Sequence, residues 1–217
     1  MTQAKMLLMP SNNSKANVHY WAGKGYEIGW LLSPRDHAPQ EVFPWIPYAI
    51  DNSRFAVWSK GAIWNENHFL EYCEFYADQE HKPKWIACPD VVANKKETIK
   101  EWFAWVDKLK AFDLPLAFVV QDEMKPEDVP NEADVVFVGG TFTWKWENLR
   151  IWTESFKNIH VGRVNTLRHA ITCWKLGVTS ADGTGWFRHP SKWAAMEKFF
   201  KIQCGEIKDP QMELFNE

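Results

Sequence analysis

Eight short apolar runs alternate with helix-patterned stretches along this chain, and that alternation constrains the fold more than any other feature. Runs rich in β-branched and aromatic residues that stop at Pro, Gly, Asp or Asn read as strands. They cover residues 5–9, 27–32, 45–50, 85–88, 116–120, 135–138, 159–162 and 178–181. Strands separated by helices need crossover connections and therefore build a parallel sheet. Eight of them in 217 residues predict an α/β fold, a (β/α)8 barrel of the TIM type. The first half has room for few full helices, so the barrel is expected to be abbreviated or irregular there.

The intervening stretches carry the matching helical period. Residues 67–79 place Phe69, Leu70, Cys73, Phe75 and Tyr76 in an amphipathic arrangement, with Asn65 ahead of them as an N-cap. Residues 95–112 give the stronger pattern: Ile99, Trp102, Phe103, Val106 and Leu109 share one face, Lys and Glu the other, and Asp113-Leu114-Pro115 ends it. Residues 145–156 gather Trp146, Leu149, Ile151, Trp152 and Phe156 near one stripe. Residues 166–176 open at Asn165 or Thr166 and close at Gly177, a natural C′ glycine. The last helix, 190–202, repeats Trp193, Met196, Phe199 and Phe200. One domain at 1–208 absorbs the whole pattern, and an acidic, Pro-interrupted, loose tail at 209–217 follows it.

Composition narrows the function classes. With 46% apolar and 24% charged residues the chain reads as a soluble globular protein, and no apolar run is long enough to span a bilayer. Met1 to Pro10 is too short an apolar region for a secretory signal, so the expected location is the cytoplasm, a host's cytoplasm if the chain is viral. Cys73, Cys88, Cys173 and Cys204 are widely spaced, form no CxxC pair, and read as reduced thiols with no metal site. A net charge of −3 argues against indiscriminate coating of nucleic acid and leaves room for a local basic groove. Many of the 14 tryptophans must pack in the core, but such a surplus of flat side chains also suits a surface on which bases stack.

In barrels of this type the working residues lie at the carboxyl ends of the strands. Here those ends hold Asp51, Asp90, Gln121, the pair Gly139 and Gly140, Gly162 with Arg163, and Asp182. Each has an ordinary explanation when taken singly: an Asx turn for Asp51, a cap for Asp90, a solvated turn for Gln121, a bend for the glycines. Polar groups at so many equivalent positions around one mouth point instead to a site. Asp182 opens onto Gly183, Thr184 and Gly185, which free the backbone to expose its carboxylate.

At these residues the sequence resembles the tRNA-guanine transglycosylase superfamily, and most closely its short DNA-modifying relatives, from about Pro47 to Trp186. The family's Asp-Ser-Gly-Gly-aromatic segment is similar to Asp51-Asn52-Ser53-Arg54-Phe55, with Ser53 and Arg54 standing where the family has glycines. By resemblance Asp51 is the acid/base, Phe55 a ring stacked on the base, and Asp90 and Gln121 the base-reading residues. Gly139 and Gly140 supply a backbone contact, Val161 and Gly162 the other wall of the slot, and Asp182 the nucleophile. The zinc-binding cysteine cluster of the tRNA enzymes has no counterpart here, and the chain is short, so the resemblance points to the DNA branch.

The implied activity is exchange of guanine in DNA for a 7-deazaguanine derivative through a covalent glycosyl-Asp intermediate. The same chemistry on tRNA, and a non-catalytic nucleic-acid-binding barrel, are the alternatives. No cofactor is expected. The expected partners are DNA and the free 7-deazaguanine base, with a homodimer or an accessory protein as sources of extra DNA grip, and no membrane. Around the mouth, Arg54, Lys145, Arg163, Arg168 and Arg188 are candidate phosphate contacts, and Trp144, Trp146 and Trp186 candidate stacking surfaces. His160 and His169 are expected to serve packing or the surface.

Overall fold

Eight strands, β1 (Leu7–Met9), β2 (Trp30–Leu32), β3 (Tyr48–Ile50), β4 (Ile86–Ala87), β5 (Leu116–Val120), β6 (Val135–Val138), β7 (Ile159–Val161) and β8 (Ser180–Asp182), form one parallel sheet. The structure is a computed structural model and describes residues 3–11, 15–34, 39–188 and 190–208. The strand order is β1-β8-β7-β6-β5-β4-β3-β2, and isolated parallel bridges from Leu8 to Ile28 and from Ser11 to Leu31 bring its two edges together. The result is the expected (β/α)8 barrel. Its strands are short, and β8 extends one residue further than the apolar pattern implies, so that Asp182 itself pairs with Met9.

Five helices follow their sequence signals. These are α3 (Glu66–Ala77), α4 (Lys95–Lys110), α5 (Phe142–Ser155), α6 (Leu167–Lys175) and α8 (Trp193–Gln203), after α1 (Lys15–Gly23) and α2 (Arg54–Trp58), with the short α7 (Gly185–Arg188) before α8. The side chains of Asn65, Asn94 and Thr166 accept from the backbone N–H three residues on, which is N-capping. Gly177 adopts the left-handed conformation that ends α6 (φ 82°). The irregularity expected of the first half is present: no helix joins β2 to β3 among the described residues, and α2 is a turn and a half with no buried side chain. Three short helices escaped the sequence reading: α1 and α2, neither of which carries an apolar stripe, and the four-residue α7.

Period-two alternation divides each strand between two cores. Ile50, Ile86, Leu116, Phe118, Val136, Val138, Ile159, Val161 and Ala181 face the helices in one large cluster. Leu7, Met9, Leu31, Ala49, Trp85, Ala87, Ala117, Val119, Val135 and Phe137 fill the barrel interior. Tryptophan serves packing far more than surface: Trp21, Trp30, Trp102, Trp152 and Trp186 are fully buried, whereas Trp45 and Trp58 are exposed. Cys73, Cys88 and Cys173 are buried, Cys204 is exposed, and none is in a disulfide. Among the described residues no helix is long and apolar enough to cross a membrane. The tail at 209–217 lies outside the described residues.

Candidate active site

The alternation that fills the barrel also builds the site. Two residues beyond the inward-facing Met9, Leu31, Ala49, Val119 and Phe137 stand Ser11, Ser33, Asp51, Gln121 and Gly139, and the same step from His160 and Ser180 reaches Gly162 and Asp182. All seven line one cavity of about 250 Å³ at the carboxyl ends of the strands. Asp90, Asn52, Phe55, Gly140, Arg163, Val119 and Phe137 complete much of its wall. Seven of the eight strands thus place a polar group, or a glycine, two residues past an inward position, and β4 adds Asp90 three residues past Ala87.

Asp51, Asp90, Gln121 and Asp182, separated by up to 131 residues in sequence, are thus brought to one opening. The floor is a closed hydrogen-bonded network. Gln121 Nε2 donates to Asp90 Oδ2 (2.7 Å), and Asn52 Nδ2 donates to Asp90 Oδ1 and to the Cys88 carbonyl (2.8 Å each). Gln121 Oε1 accepts from the Ala93 and Gly140 amides at 2.9 and 3.2 Å. Burial pushes the Asp90 carboxyl up to about 6, against the pull of the Asn52 hydrogen bond and the Arg54 charge. Gly139 is required beside this network: a Cβ there would lie 2.9 Å from both Gln121 Nε2 and Val119 Cγ1.

The segment after β3 turns through Ser53, which adopts a left-handed conformation (φ 65°) at a position where the resembled family carries glycine. Two side-chain contacts hold it: Asn52 Oδ1 accepts from the Arg54 amide at 2.8 Å, and the Ser53 hydroxyl pairs with that of Ser33. This turn aims Asp51 into the cavity. Burial, then the nearby charges of Asp182 and Asp90, raise the Asp51 carboxyl to about 7.

Asp182, which lines the same cavity, sits among donors. Its Oδ1 accepts from the Arg163 amide (3.1 Å) and lies 3.3 Å from His160 Nε2, and its Oδ2 is met by the Ser11 hydroxyl at 3.3 Å. Gly162 leaves room here, since a Cβ would lie 2.8 Å from the Phe137 ring and 3.3 Å from Asp182 Oδ1. Arg163 crosses the mouth, its guanidinium donating to the Gly140 carbonyl and lying 4.3 Å from the centre of the Phe55 ring. Phe55 and Arg163 form a cation–π pair at the rim.

Several sequence-derived assignments change. Val161 is fully buried on the helix side of β7, so Val119 and Phe137 form the apolar walls in its place. Lys145 has no exposure, donates to the Gly162 carbonyl, and is lowered to about 8 by burial and by the Arg163 charge, so it braces the barrel and cannot meet a phosphate. Arg54 is bound to Glu101 at 2.8 Å and stacked 3.9 Å from the centre of Trp64, away from the opening. Trp186 is a core residue whose indole N–H donates to the Val164 carbonyl. Trp144 packs half-buried against Gly140, and Trp146 stacks on His169 at 3.9 Å. Arg168 is exposed on α6 outside the cavity lining, and the side chain of Arg188 lies outside the described residues. Of the proposed cations whose side chains are described, Arg163 is the one that lines the cavity. The Gly140 amide, expected to face a base, donates to Gln121. Asn52, Ser11 and His160 are site residues that sequence reasoning passed over. The missed signal was the period of two, which places Ser11 two residues beyond inward-facing Met9.

A barrel with its polar groups gathered at the carboxyl ends of the strands belongs to the TIM-barrel class. No protein-family model matches the chain, and no curated protein matches it in sequence. Among solved structures it is similar to a protein assigned as a fructose-1,6-biphosphate aldolase from Coccidioides immitis (TM-score 0.58, 11% identity, covering 92% of this chain and 86% of that one). It is also similar to a chain of the tryptophan synthase complex from Pyrococcus furiosus (TM-score 0.56, 11% identity, 95% and 100% covered). At this identity the likeness shows the fold.

Proposed function

We propose that the protein is a pentosyltransferase that exchanges guanine in DNA for a 7-deazaguanine derivative such as 7-cyano-7-deazaguanine. The observation that carries this reading is the meeting of Asp51 and Asp182 in one cavity whose floor is the Asp90–Gln121 pair. The placement of the cavity at the carboxyl end of a TIM-type barrel, where enzymes of this fold keep their chemistry, supports catalysis over simple binding. The scattered cysteines, unlike the clustered ligands of the tRNA enzymes, favour DNA as the polymer.

The chemistry runs in two displacements. The target nucleotide first leaves its stack, at a cost of roughly a few kcal/mol, and enters the cavity. There Asp90 accepts from the N1–H and the exocyclic amine of guanine, using the lone pairs that Asn52 and Gln121 leave open, and the second Nε2 hydrogen of Gln121 serves the base carbonyl. The Asp182 carboxylate attacks the sugar C1′ while the C1′–N9 bond breaks, its electron pair leaving on guanine together with a proton from Asp51. The incoming base then gives its N9 proton to the Asp51 carboxylate, N9 attacks C1′, and the C1′–O bond breaks with its pair returning to Asp182. An acid poised at about 7 suits both proton transfers.

The test is incorporation of labelled guanine or 7-cyano-7-deazaguanine into duplex DNA and, side by side, into tRNA. Exchange into DNA that Asp182→Ala abolishes supports the reading. Exchange into tRNA alone reassigns the polymer, and full activity in Asp182→Ala overturns the mechanism.

A further inference from the structure

Directly beneath Asp182 the barrel interior holds a polar ring in a layer that is otherwise apolar. His160 takes an inward position of β7, in register with Phe137 of β6 and Ser180 of β8, and it has no exposure. Its imidazole lies edge-on to Trp85 and Phe137, with ring centres 4.9 and 4.5 Å away. An apolar side chain would fill that space without cost, whereas an imidazole requires partners for both nitrogens. It has them: Nδ1 is 2.8 Å from Ser180 Oγ, and Nε2 is 3.3 Å from Asp182 Oδ1.

The same carboxylate oxygen receives a second support. The Arg163 amide donates to it at 3.1 Å, and the carbonyl of that same peptide unit, Gly162 O, accepts from the buried ammonium of Lys145. A peptide held at its oxygen by a cation presents a more polar N–H at its other end. Oδ2, in contrast, meets the hydroxyl of Ser11, a residue of the cavity lining. The two oxygens of Asp182 are therefore inequivalent, one tied downward into the barrel and one on the side of the cavity.

We propose that His160 is a positioning residue for Asp182: a hydrogen on Nε2 anchors Oδ1, fixes the rotation of the carboxylate and turns Oδ2 toward the sugar carbon. The proposal rests on the reading of Asp182 as the nucleophile. A bare Nε2 would set a lone pair against a carboxylate oxygen, so the hydrogen belongs on Nε2 when Asp182 is charged, and the Ser180 hydroxyl, able to donate or accept, completes Nδ1. Lys145 acts on the same oxygen through the Gly162–Arg163 peptide. Groups behind a reacting side chain commonly set its orientation in this way.

Two measurements decide it. In nitrogen-15 spectra of the wild-type protein, His160 is expected to show a protonated Nε2, and a bare Nε2 overturns the anchor. In exchange kinetics on DNA, His160→Phe is expected to lower kcat roughly 10- to 100-fold with KM nearly unchanged, matching the loss of one hydrogen bond to a charged group. His160→Gln, whose amide keeps a donor, is expected to recover part of the rate and of the covalent DNA adduct formed in a single turnover. Wild-type kcat in His160→Phe, or no recovery in a folded His160→Gln, overturns the role. If His160→Phe does not fold, Ser180→Ala takes its place, with a several-fold loss of kcat expected and an unchanged kcat overturning the role. Should the wild-type protein exchange no base in DNA or tRNA, the functional reading fails, and the state of Nε2 then decides the anchor by itself.

Discussion

The two carboxylates that share the cavity, Asp51 and Asp182, are the same residue type in opposite surroundings. The wall that carries Asp51 offers it burial and two neighbouring negative charges, relieved by backbone hydrogen bonds from Ser53 and Asn52. The wall that carries Asp182 offers an imidazole, a peptide N–H and a hydroxyl. Under the proposed function these surroundings suit Asp51 to carrying a proton near neutrality and Asp182 to acting as a fixed electron-pair donor, the division of labour that paired carboxylates need.

The comparison is broken most directly by removing the better-supported acid. Asp182→Ala is expected to lose roughly 10⁴-fold or more in exchange rate, measured with labelled base under saturating DNA. Equal losses from both walls would erase the distinction, because Asp51→Asn is expected to cost roughly 10²–10⁴-fold, the usual range for a general acid–base. The pH profile sharpens the point. In the proposed reaction base release needs Asp90 ionised and Asp51 protonated, so kcat/KM is expected to rise through about 6 and fall through about 7, giving a narrow optimum. A flat profile between pH 5 and 8 would remove Asp51 from the proton transfer.

Smaller effects test the frame of each wall. Gly183 follows Asp182, and a Cβ there would run into the Val164 carbonyl oxygen, which also accepts from Trp186. Gly183→Ala is therefore expected to cost about 1–3 kcal/mol of stability, read as a lower midpoint in denaturant. Asp51 binds its proton more tightly folded than unfolded, so its stabilising contribution is complete below the unfolded value of 3.8 and is lost as pH rises through about 7. Asp51→Asn should accordingly melt a few degrees above the wild type at pH 8, with the gap closing toward pH 4. Equal melting at pH 8 would show that the buried charge carries no penalty. Least of all, Arg163→Ala should weaken DNA binding and reduce its salt slope by about 1, whereas Arg54→Ala should leave that slope unchanged. Equal slopes would undo the contrast between the cation at the rim and the one held by Glu101.

The sequence made the barrel legible because strand and helix periods are local signals. All eight strands lie where apolar runs end in turn residues, and the strand-end polar groups Asp51, Asp90, Gln121 and Asp182 share one cavity as their equivalence implied. What stayed hidden was set by distant partners. Lys145 looks like a surface cation on a helix until the Gly162 carbonyl, seventeen residues on, gives its ammonium a buried acceptor. His160 looks like a packing residue until the inward face of β7 is aligned with Ser180 and Asp182. Val161 has the right composition for a pocket wall and the wrong parity, since its neighbours His160 and Gly162 take the inward positions.

The Asp90–Gln121–Gly140 floor has a consequence for the direction of the proposed reaction. The open lone pairs of Asp90 and the second Nε2 hydrogen of Gln121 meet the N1–H, amine and carbonyl edge that guanine and a 7-deazaguanine share, so in the proposed reaction these contacts hold both bases alike. As far as the floor is concerned, the guanine-bound and deazaguanine-bound forms then lie close together in free energy, and neither base is preferred. Exchange on such a floor runs by mass action: the pool of free bases, more than the pocket, decides which one the DNA keeps.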